Sequence, residues 1–284
     1  MTLIVTVDGG GTRCRLAAFS QQGKLLGRVV VEEHASLTLG VSAAWRHIDH
    51  GLAILRRQLG HGPRWQPSIL SMGLAGSLQQ KKRHEFLKLL PDGVKAVLHT
   101  DGYAQLIGAS EGQPGICLAV GTGSVMHWLD RGGKKGMAGG WGFPVGDQGS
   151  GAWLGMRLLQ TYIAHLDGNR SPSVMMELIE KRIGTSVSEI QLWTTQTRSS
   201  VMAQLAPIVF EASTLSDPGA LTLMDEAAGH CLQLVRMAPA DLPVFVVGGV
   251  GEQLSPLLLR ELGERHHRSR GDALRGLWHL AVAT

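Results

Sequence analysis

Leu-Ile-Val-Thr-Val-Asp-Gly-Gly-Gly-Thr-Arg, residues 3–13, opens the chain on an apolar, β-branched run that stops at an acid and three glycines. Leu3 to Val7, interrupted only by Thr6, has the composition of a buried strand. Asp8 ends it, and Gly9, Gly10 and Gly11 allow the backbone φ > 0 and let a ligand approach the amides. Successive N–H groups in such a turn form an anion-binding concavity. A carboxylate beside them suits Mg²⁺, held directly or through water. These residue types fit a polyphosphate with magnesium; an ordinary tight turn is the plain alternative.

The following residues separate this turn from two other nucleotide motifs. The chain has no G-x-x-x-x-G-K-[ST], and a Rossmann fingerprint needs a helix after its glycines. Here Cys14 to Phe19 reads as a second strand, Gln21-Gln22-Gly23-Lys24 as a turn and Leu25 to Val31 as a third strand. The glycines therefore sit in the bend of a β-hairpin. After a loop containing Ala35-Ser36, an apolar stripe of Val41, Ala44, Trp45, Ile48, Leu52, Leu55 and Leu59 predicts an amphipathic helix. A strand over 68–74, a helix over 79–90 and a strand over 94–99 follow. Asp8, Ser77 and Asp101 thus fall at or just beyond C-terminal strand ends, the edge where open α/β sheets bind ligands.

The second half repeats the plan. Gly115 to Val120 reads as a strand, Gly121-Thr122-Gly123-Ser124 as a turn and Val125 to Leu129 as a returning strand; after a turn at 130–134 comes a third. This is the pattern of an internal duplication. A glycine-rich loop over 139–151 precedes helices expected at about 152–166, 173–183, 199–213 and 219–237. A last strand over 243–247 runs into Gly248-Gly249-Val250-Gly251, followed by a helix to about Leu262, a basic loop over 265–270 and a short C-terminal helix.

With 284 residues, 44% hydrophobic and 18% charged, the chain is long enough for two lobes and has the balance of a globular enzyme. Glycine, at 38 residues, is the outlier and suggests many ligand-facing turns. No apolar run reaches the roughly 20 residues of a membrane helix. The N-terminus enters a strand without a basic leader, so a cytoplasmic protein is expected. A net charge of +4 fits anionic substrates, and no aromatic-interleaved basic stripe points to nucleic acid. Cys14, Cys117 and Cys231 are far apart and form no C-x-x-C pair.

Three glycine turns at strand ends, at 8–12, 121–124 and 248–251, resemble those of the sugar kinase, heat-shock ATPase and actin superfamily. Asp-Gly-Gly-Gly-Thr at 8–12, Gly-Leu-Ala-Gly at 73–76, Thr-Asp-Gly at 100–102, Gly-Thr-Gly-Ser at 121–124, Gly-Trp-Gly-x-x-x-Gly-Asp-x-Gly-Ser-Gly at 140–151 and Val-Gly-Gly-Val at 247–250 are similar to the N-acetylglucosamine and glucosamine kinases of the BadF/BadG/BcrA/BcrD-type ATPase family. The resemblance spans nearly the whole chain in order and spacing. It implies an α/β fold of two duplicated ribonuclease H-like lobes, an actin-like ATPase fold with a ligand cleft between them. The lobes would comprise 1–108 and 109–270, with a helix over 271–284 returning to the first.

By the same resemblance, ATP and Mg²⁺ are the cofactors and an amino sugar, N-acetylglucosamine before glucosamine or N-acetylmuramate, is phosphorylated at its 6-hydroxyl. Asp101 would be the catalytic base. Gly10, Gly11, Thr12, Gly121, Thr122 and Gly123 would hold the nucleotide's phosphates, and Asp8 would orient the metal through water. Gly248, Gly249 and Val250 would line adenosine. Ser36, Ser77, Gly140, Trp141, Gly142 and Asp147 would hold the sugar with Asp101, and a homodimer is implied. The family usually has Ala-Asn where this chain has Ala35-Ser36. A hydroxyl donates and accepts but is shorter than an amide, so the choice of sugar stays open.

Plainer roles stand beside these. Asp101 could cap the helix that follows it, Asp147 the helix beginning near Ser150, and Trp141 and Trp153 could belong to the core. Two other activities compete: an activator ATPase with an Fe–S cluster, which lone cysteines do not favour, and a non-catalytic sugar sensor.

Overall fold

The computed structural model describes residues 3–169 and 171–283, which divide into two compact units. The first holds the described residues up to Gly115 and those from Arg268 onward; the second runs from Ile116 to His267.

In the first unit, β1 (Leu3–Gly9), β2 (Cys14–Ser20) and β3 (Leu25–Val31) form an antiparallel meander. Helix α1 (Val41–Gln58) leads to β4 (Ile69–Leu74), and α2 (Gln80–Leu87) to β5 (Lys95–His99). Both later strands add in parallel, giving the order β3-β2-β1-β4-β5. The sheet is covered on both faces. Val5, Val7, Leu16, Ala18, Leu70 and Met72 pack with Ala44, Ile48 and Leu55 of α1. On alternate positions, Ala17 and Phe19 meet Leu274 of the last helix, as the period of two in a strand requires.

Helix α3 (Asp101–Ser110) ends the first pass through this unit. The second unit opens with β6 (Gly115–Val120), β7 (Ser124–Leu129) and β8 (Lys135–Gly139). Helices α4 (Gly151–Leu166), α5 (Val174–Ile183), α6 (Val187–Thr194), α7 (Ser199–Met202), α8 (Ala206–Thr214) and α9 (Pro218–Val235) follow. Then come β9 (Val244–Val247), α10 (Gly249–Leu262) and β10 (His266–His267). The sheet order is β10-β9-β6-β7-β8, with β9 parallel to both β6 and β10. Strand for strand this repeats the first sheet, with β6 in the place of β1 and β9 in that of β4. The duplication read from the glycine turns is therefore complete at the level of topology.

Three details differ from expectation. His266 and His267, expected in a basic loop, are the fifth strand of the second sheet, paired with Val244 and Phe245. The helix expected over 199–213 is broken: α7 passes into a 3₁₀ turn over Ala203–Leu205 before α8 begins. Pro207 lies in the first turn of α8, where its missing N–H costs nothing, whereas a continuous helix would set its ring against the carbonyl of Ala203. Helix α6 was not expected at all, although its capping box was visible: Ser186 Oγ accepts from Glu189 N and Glu189 Oε2 from Ser186 N. Among the described residues no helix is long and apolar enough to cross a membrane.

The chain ends in α11 (Ala273–Val282), capped by Asp272 and laid across α3. The crossing is made by glycines. A Cβ on Gly276 would stand 2.0 Å from the carbonyl oxygen of Ala104, and one on Gly108 2.0 Å from that of Asp272. Ser71 Oγ of β4 donates to Leu277 O at 2.9 Å, fixing α11 to the sheet. Gly276→Ala should therefore destabilise by about 1–3 kcal/mol or more through overpacking, against the gain of about 1 kcal/mol that alanine brings inside a helix. Gly229→Ala in α9, where a Cβ meets nothing within 4 Å, should show that gain alone. Urea denaturation of the two variants checks the contrast, and equal midpoints would refute it.

Candidate active site

In the first unit the parallel register aligns three strand ends. Asp8 pairs with Gly73 and Gly9 with Leu74, while Gly73 pairs with His99. Backbone hydrogen bonds then knit the following loops together. Gly10 N–H donates to Arg13 O (3.2 Å), Ala35 N–H to Gly10 O (3.1 Å) and Ala75 N–H to Gly9 O (3.0 Å). The structure thus brings Asp8, Gly10, Gly11, Ser36, Ser77 and Asp101 to one sheet edge, with Thr12 exposed at the bend.

The glycines of this turn differ in what they do. None of Gly9, Gly10 and Gly11 has positive φ, so the backbone freedom expected of them is not used. Gly9 is required by packing: a Cβ there would stand 2.6 Å from Ala35 Cβ and from Leu74 Cδ2. Beside Gly11 there is nothing within 4 Å, and beside Gly10 only Arg13 O at 3.9 Å. The fold does not need glycine at either position, so both leave free space along exposed backbone.

Ser36 and Ser77 are buried and their hydroxyls face inward. Ser36 Oγ accepts from Thr38 N–H (3.2 Å) and donates to Ala75 O (3.5 Å), bracing its loop against the end of β4. Ser77 Oγ donates to His99 O (2.9 Å), tying the turn after β4 to the end of β5. Helix α3 begins directly beyond that tie. Thr100, not Asp101, is its cap, with Oγ1 accepting from Tyr103 N–H at 3.1 Å. That removes the capping role entertained for Asp101. Its Oδ1 accepts from the adjacent Gly102 N–H, at 3.0 Å. Burial pushes this carboxyl above the ordinary carboxylate range; the Gly102 N–H opposes that and the charge of Asp8 adds to it. Asp8 is also raised by burial, against the pull of Arg15, which sequence reasoning passed over. Arg15 Nε donates to Asp8 Oδ2 at 2.7 Å.

In the second unit the turn after β6 rests on the start of α4. Gly151 N–H donates to Gly121 O (2.8 Å) and Ala152 N–H to Thr122 O (3.1 Å). Ser150 caps that helix, accepting from Trp153 N–H at 3.2 Å, so Asp147 is not its cap. Asp147 Oδ1 instead accepts from Ser124 N–H (3.3 Å), and its carboxylate lies against Gly123, where a Cβ would come within 2.7 Å of Oδ2. Ser124, buried, uses every polar group it has on this loop. Its N–H reaches Asp147, its carbonyl accepts from Gly140 N–H (2.9 Å) and its Oγ donates to Gln148 O (2.9 Å). Gly140 and Gly142 both have positive φ, and Trp141 between them is 86% exposed. Trp153 is buried in the core, as its plainer reading had it.

Gly121, Thr122, Gly249 and Val250 share a cavity of about 450 Å³ with Gly151, Ala203, Ala206, Pro207, Phe210 and Gln253. Gly248 lies beside it, with φ of 93° and a virtual Cβ 2.4 Å from Val120 O, so the fold itself demands this glycine. Gly121 and Gly249 have nothing within 4 Å and border open space. Phe210 offers a ring face, Gln253 an amide that both donates and accepts, and the helix start at Gly249 exposed N–H groups. Phe210 and Gln253 carry no local signal for this role; they arrive on helices far apart in the chain.

The model of the BadF/BadG/BcrA/BcrD ATPase family matches residues 5–256. The glucosamine kinase GspK of Vibrio cholerae is 29% identical over 279 residues, 97% of this chain and 94% of its own. The N-acetyl-D-glucosamine kinase of Dictyostelium discoideum is 24% identical over 290 residues, 93% and 91% of the two chains. Among solved structures, a candidate N-acetylglucosamine kinase from Chromobacterium violaceum matches with a TM-score of 0.91 at 31% identity over 99% of both chains. A ROK family glucokinase from Streptomyces griseus, solved with glucose and AMPPNP, shares the fold, with a TM-score of 0.57 at 20% identity over 99% of both chains.

The raised carboxyl of Asp101 has a consequence for stability. An acid whose folded pKa exceeds its unfolded value of about 3.9 favours folding when protonated and opposes it once ionised. Asp101→Asn keeps the acceptor for Gly102 N–H but has no charge to bury. Its melting temperature should match or exceed that of the parent at pH 7, and the difference should vanish as the pH falls below about 4. Scanning calorimetry at both pH values checks this; a variant less stable only at neutral pH would show that the ionised carboxylate is stabilising.

Proposed function

The chain belongs to the BadF/BadG/BcrA/BcrD ATPase family, and on that premise we propose that it transfers the γ-phosphoryl group of ATP to the 6-hydroxyl of an amino sugar, N-acetylglucosamine first among them. The observation that carries the reading is Asp101: a half-buried carboxylate, free of capping duty, on the sheet edge that also holds Asp8 and the open backbone at Gly10 and Gly11.

The proposed chemistry is direct. Asp101 accepts the proton of the 6-hydroxyl as its oxygen attacks the γ-phosphorus and ADP leaves. Phosphoryl transfer depends on positioning and charge neutralisation, with one carboxylate near the nucleophile. Burial suits Asp101 to the task, because a base with a raised pKa holds the proton more firmly while remaining ionised above that pKa. The acid limb of kcat/KM should therefore lie above the ordinary aspartate value of about 3.9.

The remaining roles follow the geometry of each unit. Adenosine occupies the cavity lined by Phe210, Gln253, Gly249 and Val250, with Gly248 shaping the turn beside it. Thr12 and Thr122 touch phosphates whose approach is left open by Gly10, Gly11 and Gly121, while Gly123 seats Asp147. Asp8 fits magnesium held through water: Oδ1 accepts no hydrogen bond from a described residue, and magnesium in kinases takes few protein ligands. When bound, the metal neutralises phosphate charge. Ser36 and Ser77 hold the sugar loops in place, and Asp147 with the Gly140–Trp141–Gly142 backbone meets sugar hydroxyls. Glucosamine is the second reading, favoured by the Vibrio cholerae relative.

An ADP-release assay over a panel of hexoses and amino sugars tests the activity and separates the two sugars. Asp101→Asn should lower kcat roughly 10²–10⁴-fold with ATP binding intact by calorimetry; a kcat within tenfold of the parent would remove Asp101 from the mechanism. Gly121→Ala, whose Cβ meets nothing within 4 Å, should keep the melting temperature and weaken ATP binding. Unchanged affinity would move the phosphates elsewhere.

A further inference from the structure

Asp8 and Arg15 stand directly opposite each other in the β1–β2 register. Arg15 Nε donates to Asp8 Oδ2 at 2.7 Å, and Nη2 contacts the same oxygen. The grip is therefore one-sided. Arginine–carboxylate pairs frequently spread the guanidinium fork over both carboxylate oxygens. Here both donors fall on Oδ2, and Oδ1 accepts nothing from the described residues. The carboxylate is 10% exposed and the guanidinium side chain 34%, so Asp8 is enclosed while Arg15 reaches it from the solvent side.

The other charges near Asp8 do not share this task. Arg28 and Asp272 pair with each other at 3.0 Å, and Asp272 also caps α11. Asp101 carries the same sign as Asp8. Arg15 is thus the cation that fixes which way the Asp8 carboxylate faces.

We propose that Arg15 is a positioning residue that locks Oδ2 of Asp8 and so presents Oδ1 to the water shell of a magnesium ion accompanying the nucleotide. The idea rests on the kinase reading for its ligand, Mg·ATP, but on the Asp8–Arg15 geometry for its mechanism. Residues that orient a metal's ligands typically account for about 10–100-fold in metal affinity. Charge and orientation separate by substitution. Arg15→Met removes both at similar length; Arg15→Lys keeps the charge but cannot place two donors on one oxygen.

The test is calorimetric binding of AMPPNP to the full chain across a magnesium titration, with kinetics on the sugar that the panel identifies. Both variants should raise the magnesium needed for half-maximal nucleotide binding, Arg15→Met by about 10–100-fold and Arg15→Lys by less. The KM for sugar and the metal-free affinity for nucleotide should not move. An unchanged magnesium requirement with only a lower melting temperature would overturn the proposal and leave a structural ion pair. Should Arg15→Met fail to fold, Arg15→Lys decides the same question. If no sugar is phosphorylated, the kinase reading falls while the binding titration still decides the role of Arg15. If Mg·AMPPNP does not bind the parent chain, both fall.

Discussion

Parallel pairing of β4 with β1, and of β9 with β6, is the constraint on which both halves of this protein depend. Parallel strands end at the same sheet edge, so the turns that leave them are brought side by side without contact in sequence. In the first sheet that edge collects Asp8, the loop of Ser36 and the start of α3; in the second it collects Gly121 and Gly248. Hairpin pairing alone, which joins β1 to β2 and β2 to β3, could not do this, because alternate turns would leave opposite edges. The antiparallel strands supply the tight glycine bends, and the parallel ones supply the company those bends keep.

Much of this was legible in the sequence because the signals were local. An apolar run ending in Asp8 and three glycines, followed by another apolar run, can hardly be anything but a hairpin. Its recurrence at 115–129 announced the duplication. What escaped was decided by partners distant in sequence. His266 and His267 carry no strand signal; β9 makes them a strand by offering its free edge. Thr100 and Asp101 are both capping residues, and sequence alone could not say which would turn toward Tyr103 N–H and leave the other free. Arg15 was within reach, since a bend across residues 10–13 places it opposite Asp8, but only once the register was worked out.

Two kinds of glycine also looked alike on the page. Gly9, Gly108, Gly248 and Gly276 are small because protein atoms leave no room, and the fold depends on them. Gly11, Gly121 and Gly249 face open space. A motif written as a string of glycines therefore mixes residues that shape the scaffold with residues that clear a path for something outside it. Only the atoms packed around each Cα tell them apart.

The loop over residues 140–149 shows how such a scaffold can change its habits. It is pinned at its root by Ser124 through three separate atoms, while Trp141 and Val145 at its tip are almost wholly bare. Anchorage and display have been assigned to different residues. Selection can then try new side chains at the tip without disturbing the sheet, and drift at the root is penalised at once through the loop's position. Diversity among descendants of this design should accumulate at position 145 and stall at 124, an evolutionary grain laid down by three hydrogen bonds.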